Sequence, residues 1–260
     1  MKSVSILGLG WLGWPLAQNF ASQGWQVKGT VRNIEKAGLQ RISSVKVLTF
    51  DFPVETRNLP ELLKSDVLII TIPPSKVGDY LELIQFLKNQ INLTQIKQVI
   101  FTGSTSVYPD CSAEVDETTK ELPNSQGGKT LLDAEKLLLE LSCTTTILRL
   151  GGLFGENRNP GKFLAGKEDL PNPDGMINLV EGCDVIAIVT ALAGQENQSE
   201  VYNVCNPKHP SRKAFYTKAA IELNLKPPVF VENEIQEWKL VKNTKIQTRL
   251  PNFRFKDLPL

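Results

Sequence analysis

Short apolar runs alternate along this chain with longer segments in which apolar positions recur roughly every three to four residues, the period of a helix with one buried face. Val4–Leu7, Gln26–Val31, Val45–Phe50, Val67–Ile72, Gln98–Thr102 and Thr145–Leu150 read as strands. Between them, Leu12–Ser22, Tyr80–Gln90 and Lys129–Leu141 read as helices. In the last, Leu131, Leu132, Leu137, Leu138 and Leu141 form an apolar face, while Asp133, Glu135, Lys136 and Glu140 supply a wet one. Strands that are apolar at nearly every position are covered on both sides. The pattern therefore predicts an α/β protein with a doubly wound parallel sheet.

The texture changes after Arg149. Gly151–Gly175 is rich in Gly, Pro and Asn and reads as a long irregular stretch, a kind of segment that is usually functional in a compact domain. A helix at Val185–Leu192, a strand at Val201–Val204 and a helix at Arg212–Leu223 follow, before a Pro-rich tail. The expected division is a nucleotide-binding core over 1–150, completed by about 182–205, with 151–181 and 206–260 forming a small C-terminal lobe.

The first strand runs directly into Gly8-Leu9-Gly10-Trp11-Leu12-Gly13, and Pro15 follows early in the next helix, where its missing N–H does no harm. A GxGxxG run placed between a strand and a helix is the Rossmann dinucleotide signature. Gly8 makes the tight turn, Gly10 lets the backbone approach a pyrophosphate, and Gly13 lets helix and strand pack closely. Helix N–H groups then face the diphosphate. The second strand would normally end near an acidic residue that takes the ribose 2′-hydroxyl. Val27-Lys28-Gly29-Thr30-Val31-Arg32-Asn33 offers none. Arg32 stands where a 2′-phosphate would lie, with Thr30 and Asn33 as hydrogen-bond partners, so NADP(H) is favoured over NAD(H).

With 29 Lys and Arg against 28 Asp and Glu, the net charge is +1, which gives no bulk attraction to nucleic acid or an anionic membrane. The most apolar window, Val67–Ile72, is too short to span a bilayer. Because Val4–Leu7 already reads as a strand, no leader peptide is expected. The four cysteines (Cys111, Cys143, Cys183 and Cys205) are scattered, and the chain has a single histidine. That composition predicts free thiols, no metal cage and a cytoplasmic setting.

Beyond the glycine loop the chain resembles the extended short-chain dehydrogenase/reductases, in particular their atypical epimerase/dehydratase-like members. The resemblance rests on Gly8–Gly13, on Phe101-Thr102-Gly103-Ser104-Thr105-Ser106-Val107-Tyr108 and on Leu148-Arg149-Leu150-Gly151-Gly152-Leu153-Phe154-Gly155. Later landmarks are Asn178-Leu179-Val180, Asp184-Val185 and Val201-Tyr202-Asn203-Val204. It implies that Trp11 and Leu12 sit in the cofactor loop, that Asp51 and Phe52 lie near the adenine, and that Thr71, Ile72 and Pro73 line the cofactor. Leu150, Gly151 and Leu153 would flank the nicotinamide.

The same resemblance implies a Ser or Thr with a YxxxK pair, the tyrosine being acid/base and the lysine its helper. Ser104 matches. The tyrosine and lysine positions fall on Gly127 and Leu131, and no YxxxK occurs in the chain. Two side chains are available as substitutes. Lys129 is near the vacant lysine position, and Tyr108 could act as an acid if a cation lowered its pKa; the alternative for Tyr108 is a buried tyrosine closing a loop. Arg158, Lys162 and Lys167 could hold an anionic substrate or be solvated, and His209 could carry a proton or be a plain loop residue.

Three functions remain open: an NADP-dependent oxidoreductase or epimerase-like enzyme on an unidentified small molecule, a non-catalytic NADP(H) sensor, and a nucleotide-sugar epimerase or dehydratase. A homodimer is also open, pairing the leucine face of Lys129–Leu141 with the apolar face of Tyr80–Gln90.

Overall fold

The computed structural model describes residues 2–35, 44–195, 198–231 and 237–259. Its elements run β1 (Ser3–Leu7), α1 (Gly13–Ser22), β2 (Gln26–Val31), β3 (Val45–Thr49), α2 (Leu59–Leu62), β4 (Val67–Ile70), α3 (Tyr80–Ile91), β5 (Gln98–Ser104) and β6 (Ala113–Val115). They continue α4 (Gln126–Leu139), β7 (Thr144–Leu150), β8 (Gly152–Phe154), β9 (Leu179–Glu181), α5 (Gly182–Leu192), β10 (Glu200–Val204), α6 (Arg212–Glu222), β11 (Lys239–Val241) and α7 (Thr244–Arg249). No helix among the described residues is long and apolar enough to cross a membrane.

Seven strands form one sheet in the order β10-β7-β5-β4-β1-β2-β3, and the expected doubly wound α/β architecture is borne out. β1 pairs in parallel with β2 on one side and β4 on the other. The chain therefore winds outward through β2 to β3, crosses back over β1, and lays down β4 and β5. That reversal places a topological switch point beside the carboxyl ends of β1 and β4, the place where open α/β sheets bind ligands.

The chain divides into two compact units. The first is Met1–Gly103, Lys129–Leu148 and Ile186–Val201; the second is Ser104–Gly128, Arg149–Val185 and Tyr202–Leu260. Of the five passages between them, three fall inside the sheet strands β5, β7 and β10, and two inside the helices α4 and α5.

In the first unit β4 is buried at every position, as its apolar run requires. It ends at Ile70 rather than Ile72, because Pro73 and Pro74 follow and a proline has no N–H for a ladder. α3 is capped by Asp79, whose carboxylate accepts the Glu82 N–H at 2.9 Å. Its Tyr80, Leu83, Ile84, Leu87 and Ile91 are all buried. Leu131, Leu138 and Leu141, part of the leucine face for which both a dimer and packing within the chain were open, are buried too. An ion pair from Lys88 to Glu140 ties α3 to the residue after α4. Glu135 departs from the expected wet face and is only 1% exposed. Helical period explains it, since Glu135 shares one stripe with Leu131 and Leu138.

In the second unit, two parallel strand pairs, β6 with β11 and β8 with β9, lie where the sequence pattern suggested loop and tail. Three-residue strands show too little alternation to be read from sequence. Asn178 does the work of a missing neighbour: its Nδ2 donates to Lys239 O at 2.8 Å and its Oδ1 accepts the Val241 N–H at 2.9 Å, bracketing β11. The core gathers Phe154, Ile177, Leu179, Phe215 and Leu258, so the penultimate stretch of the chain is anchored in it.

Upstream of Leu258, the Lys256 N–H donates to the carboxylate of Asp184 at 3.1 Å, and Asn206 Nδ2 donates to Lys256 O at 2.7 Å. Asp184 is 4% exposed. Burial pushes its carboxyl up to about 6, with the charge of Glu181 adding and the Lys256 N–H opposing. The folded state thus holds this proton to higher pH than the unfolded chain does. The contribution is complete below about pH 4, the ordinary carboxyl range, and is lost as pH rises through 6. Asp184→Asn is expected to raise stability at pH 8 by roughly 2 kcal/mol, with the difference vanishing near pH 4. Urea melts at both values check it; equal differences at the two pH values would contradict it.

Candidate functional site

The glycine loop is built from the first unit alone. Gly8 has φ +108°, a conformation that favours glycine. A Cβ on Gly13 would stand 2.0 Å from Gly8 O, so only glycine lets α1 start this close to the end of β1. Gly10 is exposed, and beyond its two chain neighbours no atom among the described residues lies within 4 Å of where its Cβ would stand. Gly8 is demanded by its backbone conformation and Gly13 by steric closure. What Gly10 has is open space, the feature a pyrophosphate cradle needs.

The amides at the start of α1 suit an anion. Trp14 N–H bonds Gly10 O at 3.0 Å and Leu16 N–H bonds Leu12 O at 3.2 Å, while Pro15 has no N–H. The Leu12 and Gly13 amides have no backbone acceptor among the described residues. No acidic side chain stands in the first turn to compete with a bound anion. Trp11 is 37% exposed on the loop, and Leu12 is buried.

Three further loops follow the carboxyl ends of the neighbouring parallel strands. After β2, Arg32 and Asn33 are exposed. Thr30 is not beside them in solvent: it is 2% exposed, and its Oγ1 accepts the Gly8 N–H at 3.0 Å. The role expected for it at a 2′-phosphate is therefore corrected, because burial commits the side chain to the glycine loop. After β3, Asp51 exchanges backbone hydrogen bonds with Glu55, and the Phe52 ring lies 5.3 Å from that of Phe86. After β4, Thr71 Oγ1 donates to Gly8 O at 2.6 Å, Tyr80 donates to Ile72 O at 2.9 Å, and Pro73 is exposed. Sequence reasoning missed Tyr80 as a brace for this turn. It also missed Gly29, where a Cβ would come within 2.6 Å of Leu9; a glycine inside a strand was the available signal.

In the second unit Tyr108 is 2% exposed. Its hydroxyl donates to Asn203 Oδ1 at 2.8 Å and accepts from Arg149 Nη1 at 2.7 Å, and the guanidinium carbon is 4.9 Å from the ring centroid. Asn203 in turn donates from Nδ2 to Lys242 O and from its backbone N–H to Glu117. Burial pushes the Tyr108 phenol up to about 12; the Arg149 charge and the two hydrogen bonds pull the other way and lose. The expectation of an acid with a lowered pKa is corrected. The cation is present, but desolvation outweighs it. Sequence reasoning missed Arg149 and Asn203, although both lie in the segments that carry the family resemblance.

Ser104 is half-buried, and its Oγ accepts the Ser106 N–H at 3.1 Å. Its own proton is left for another acceptor. Lys129 is exposed. Gly127 is exposed with open space about it, whereas a Cβ on Gly128 would collide with Ser106 O at 2.2 Å, and Leu131 is buried. Leu150 is buried, the Gly151 N–H bonds Val204 O at 2.9 Å, and Leu153 pairs with Val180 in the β8–β9 ladder. Arg158, Lys162 and Lys167 are exposed. His209 is half-buried with Nδ1 3.2 Å from Ile177 O, and burial lowers its pKa.

All four cysteines are unbridged. Among the described residues, Glu181, Cys183 and Asp184 bring possible metal-ligand atoms within 4.8 Å of one another. The ammonium of Lys256 already stands 3.7 Å from Glu181 there.

No family model matches the chain. It is 39% identical over 239 residues to Protein YeeZ of Escherichia coli strain K12, an alignment covering 88% of this chain and 87% of that one. Among solved structures, a functionally unknown conserved protein from Silicibacter pomeroyi superposes with a TM-score of 0.83 at 26% identity, covering 99% of this chain and 94% of the other. A short-chain dehydrogenase/reductase superfamily protein from Agrobacterium tumefaciens with bound NAD gives 0.81 at 16% identity, over 99% and 93%. UDP-glucuronic acid 4-epimerase from Bacillus cereus, in complex with UDP-glucuronic acid and NAD, gives 0.81 at 17% identity, over 98% and 95%. The expected likeness to the extended dehydrogenase/reductases is borne out at the level of fold.

Proposed function

The chain belongs to the family of the Escherichia coli protein YeeZ, and on that footing we propose that it is a nicotinamide dinucleotide-dependent enzyme of the oxidoreductase or epimerase-like kind, acting on a small carbonyl or hydroxyl compound and preferring NADP(H). The observation that carries this reading is the glycine loop, held to glycine by a positive φ at Gly8, closed to a Cβ at Gly13 and open at Gly10. Its amides face no acidic side chain in the first turn of α1.

Within that reading, Leu12 and Gly13 N–H groups hold the diphosphate, and Thr71, Ile72 and Pro73 line the adjoining turn. Arg32 takes the 2′-phosphate with its planar fork. The nicotinamide supplies hydride acceptance or donation at its ring. Ser104 is the side chain of the expected catalytic set best suited to orient a substrate oxygen, since its hydroxyl accepts from Ser106 and still has a proton to give. Tyr108 and Lys129 are not given a catalytic role, the first because it is buried and the second because it is exposed and the sequence holds no YxxxK that would supply its tyrosine.

Calorimetric titration with NADPH and NADH tests the cofactor. NADPH is expected to bind more tightly, and Arg32→Asp to lower NADPH affinity roughly ten- to a hundredfold and to reverse or erase the preference. Equal affinities in the unmodified protein would reject the assignment to Arg32. Turnover is tested by NADPH oxidation across a carbonyl library, with Ser104→Ala lowering any rate found.

A second reading has its own observation in support: the phenol of Tyr108 is buried and doubly hydrogen-bonded, and by the sequence resemblance the acid/base tyrosine and lysine positions fall on Gly127 and Leu131. The protein would then bind NADP(H) without turnover and report its occupancy to a partner. Absence of oxidation across the library, with tight NADPH binding retained, favours it.

A further inference from the structure

We propose that Thr30 and Thr71 are paired positioning residues that lock the peptide groups on both sides of Gly8 and so hold the loop amides ready for a diphosphate. This rests on the dinucleotide reading of the glycine loop above. The two threonines come from β2 and from the end of β4, the strands on either side of β1. They use their hydroxyls in opposite senses. Thr30 Oγ1 accepts the Gly8 N–H at 3.0 Å, and Thr71 Oγ1 donates to Gly8 O at 2.6 Å, nearer than its other acceptor, Leu7 O, at 3.2 Å.

The residue so held is the one least able to hold itself. Glycine has no Cβ to restrict its dihedrals, and at φ +108° nothing in the residue itself prevents the adjoining peptides from rotating. Their orientation is then passed along the loop. Gly10 N–H donates to Gly8 O at 2.9 Å, and Trp14 N–H donates to Gly10 O at 3.0 Å, which leads into α1. A rotated Gly8 carbonyl would release the Gly10 amide and turn the Leu12 and Gly13 donors. The close approach between Gly13 and Gly8 O leaves no slack to absorb the rotation. Neither threonine needs to touch the ligand for this.

The test uses the full chain with Thr71→Val, Thr71→Ser, Thr30→Val and the double Thr30→Val/Thr71→Val, titrated with NADPH and with NADH. Thr71→Val is expected to weaken both nucleotides roughly tenfold, and Thr71→Ser to restore them to within about twofold. Thr30→Val should weaken both by the same factor, leaving the NADPH-to-NADH ratio unchanged. A contact with the 2′-phosphate would change that ratio and overturn the role proposed for Thr30. The double variant should lose less than the product of the single losses, because both hydroxyls hold one residue.

If the unmodified protein binds neither nucleotide, the dinucleotide reading fails and takes this proposal with it. If it binds and Thr71→Val binds equally well, only the proposal fails. Thermal melts accompany each titration, with Thr71→Ala as a less crowded variant. Parallel loss of fold and binding in both variants that lack the hydroxyl would reduce the pair to structural support and overturn the proposal.

Discussion

Gly10→Val is expected to lower dinucleotide affinity by at least about a hundredfold while leaving the melting temperature nearly unchanged. The two halves of that expectation have separate causes. Gly10 is exposed, and beyond its two chain neighbours no atom among the described residues lies within 4 Å of its would-be Cβ, so the folded chain accepts a side chain there. A branched side chain would occupy the space where the backbone must approach a pyrophosphate. Gly13→Ala gives the contrast. Its Cβ would meet Gly8 O at 2.0 Å, so fold and binding should suffer together. Circular dichroism beside calorimetry separates the two behaviours. A folded Gly10→Val that binds undiminished would place the cofactor elsewhere.

Arg149→Ala is expected to destabilise the protein by about 3 kcal/mol, without altering NADPH affinity in the protein that remains folded. The guanidinium is buried against the Tyr108 ring and donates to its oxygen, so truncation removes packing and a charge-assisted hydrogen bond together. The loss propagates, because Tyr108 also holds Asn203, which holds the backbone of Lys242 beside β11. Tyr108→Phe keeps the ring and should cost less. An unchanged urea midpoint for Arg149→Ala would show that the cluster contributes little. A large fall in turnover for Tyr108→Phe, with stability intact, would return that phenol to the chemistry.

The likeness to dehydrogenase/reductase sequences and the buried cluster bear on each other. Ser104 and Tyr108 lie in one motif-bearing segment, and both looked chemical from the sequence. The structure treats them differently. Ser104 is a half-buried hydroxyl with its proton uncommitted to Ser106, whereas Tyr108 is committed to Arg149 and Asn203. Arg149 and Asn203 stand 41 and 95 residues away from Tyr108 along the chain. No local pattern could have announced that they converge on it.

The sequence by itself determined the sheet, the helices α1, α3 and α4, and the glycine loop. Each is specified by local information: apolar runs buried on both faces, helical period, and glycines whose spacing serves one turn. It could not determine which polar side chains would be used internally. Thr30 looked like a ligand contact and is buried on Gly8; Glu135 looked wet and lies on the buried stripe of α4. It also left β6, β8, β9 and β11 unread, since three-residue strands show no resolvable alternation, and β11 is completed by the side chain of Asn178. Those outcomes were decided by tertiary structure, because the cost of burying a polar group depends on partners that only the folded chain brings within reach.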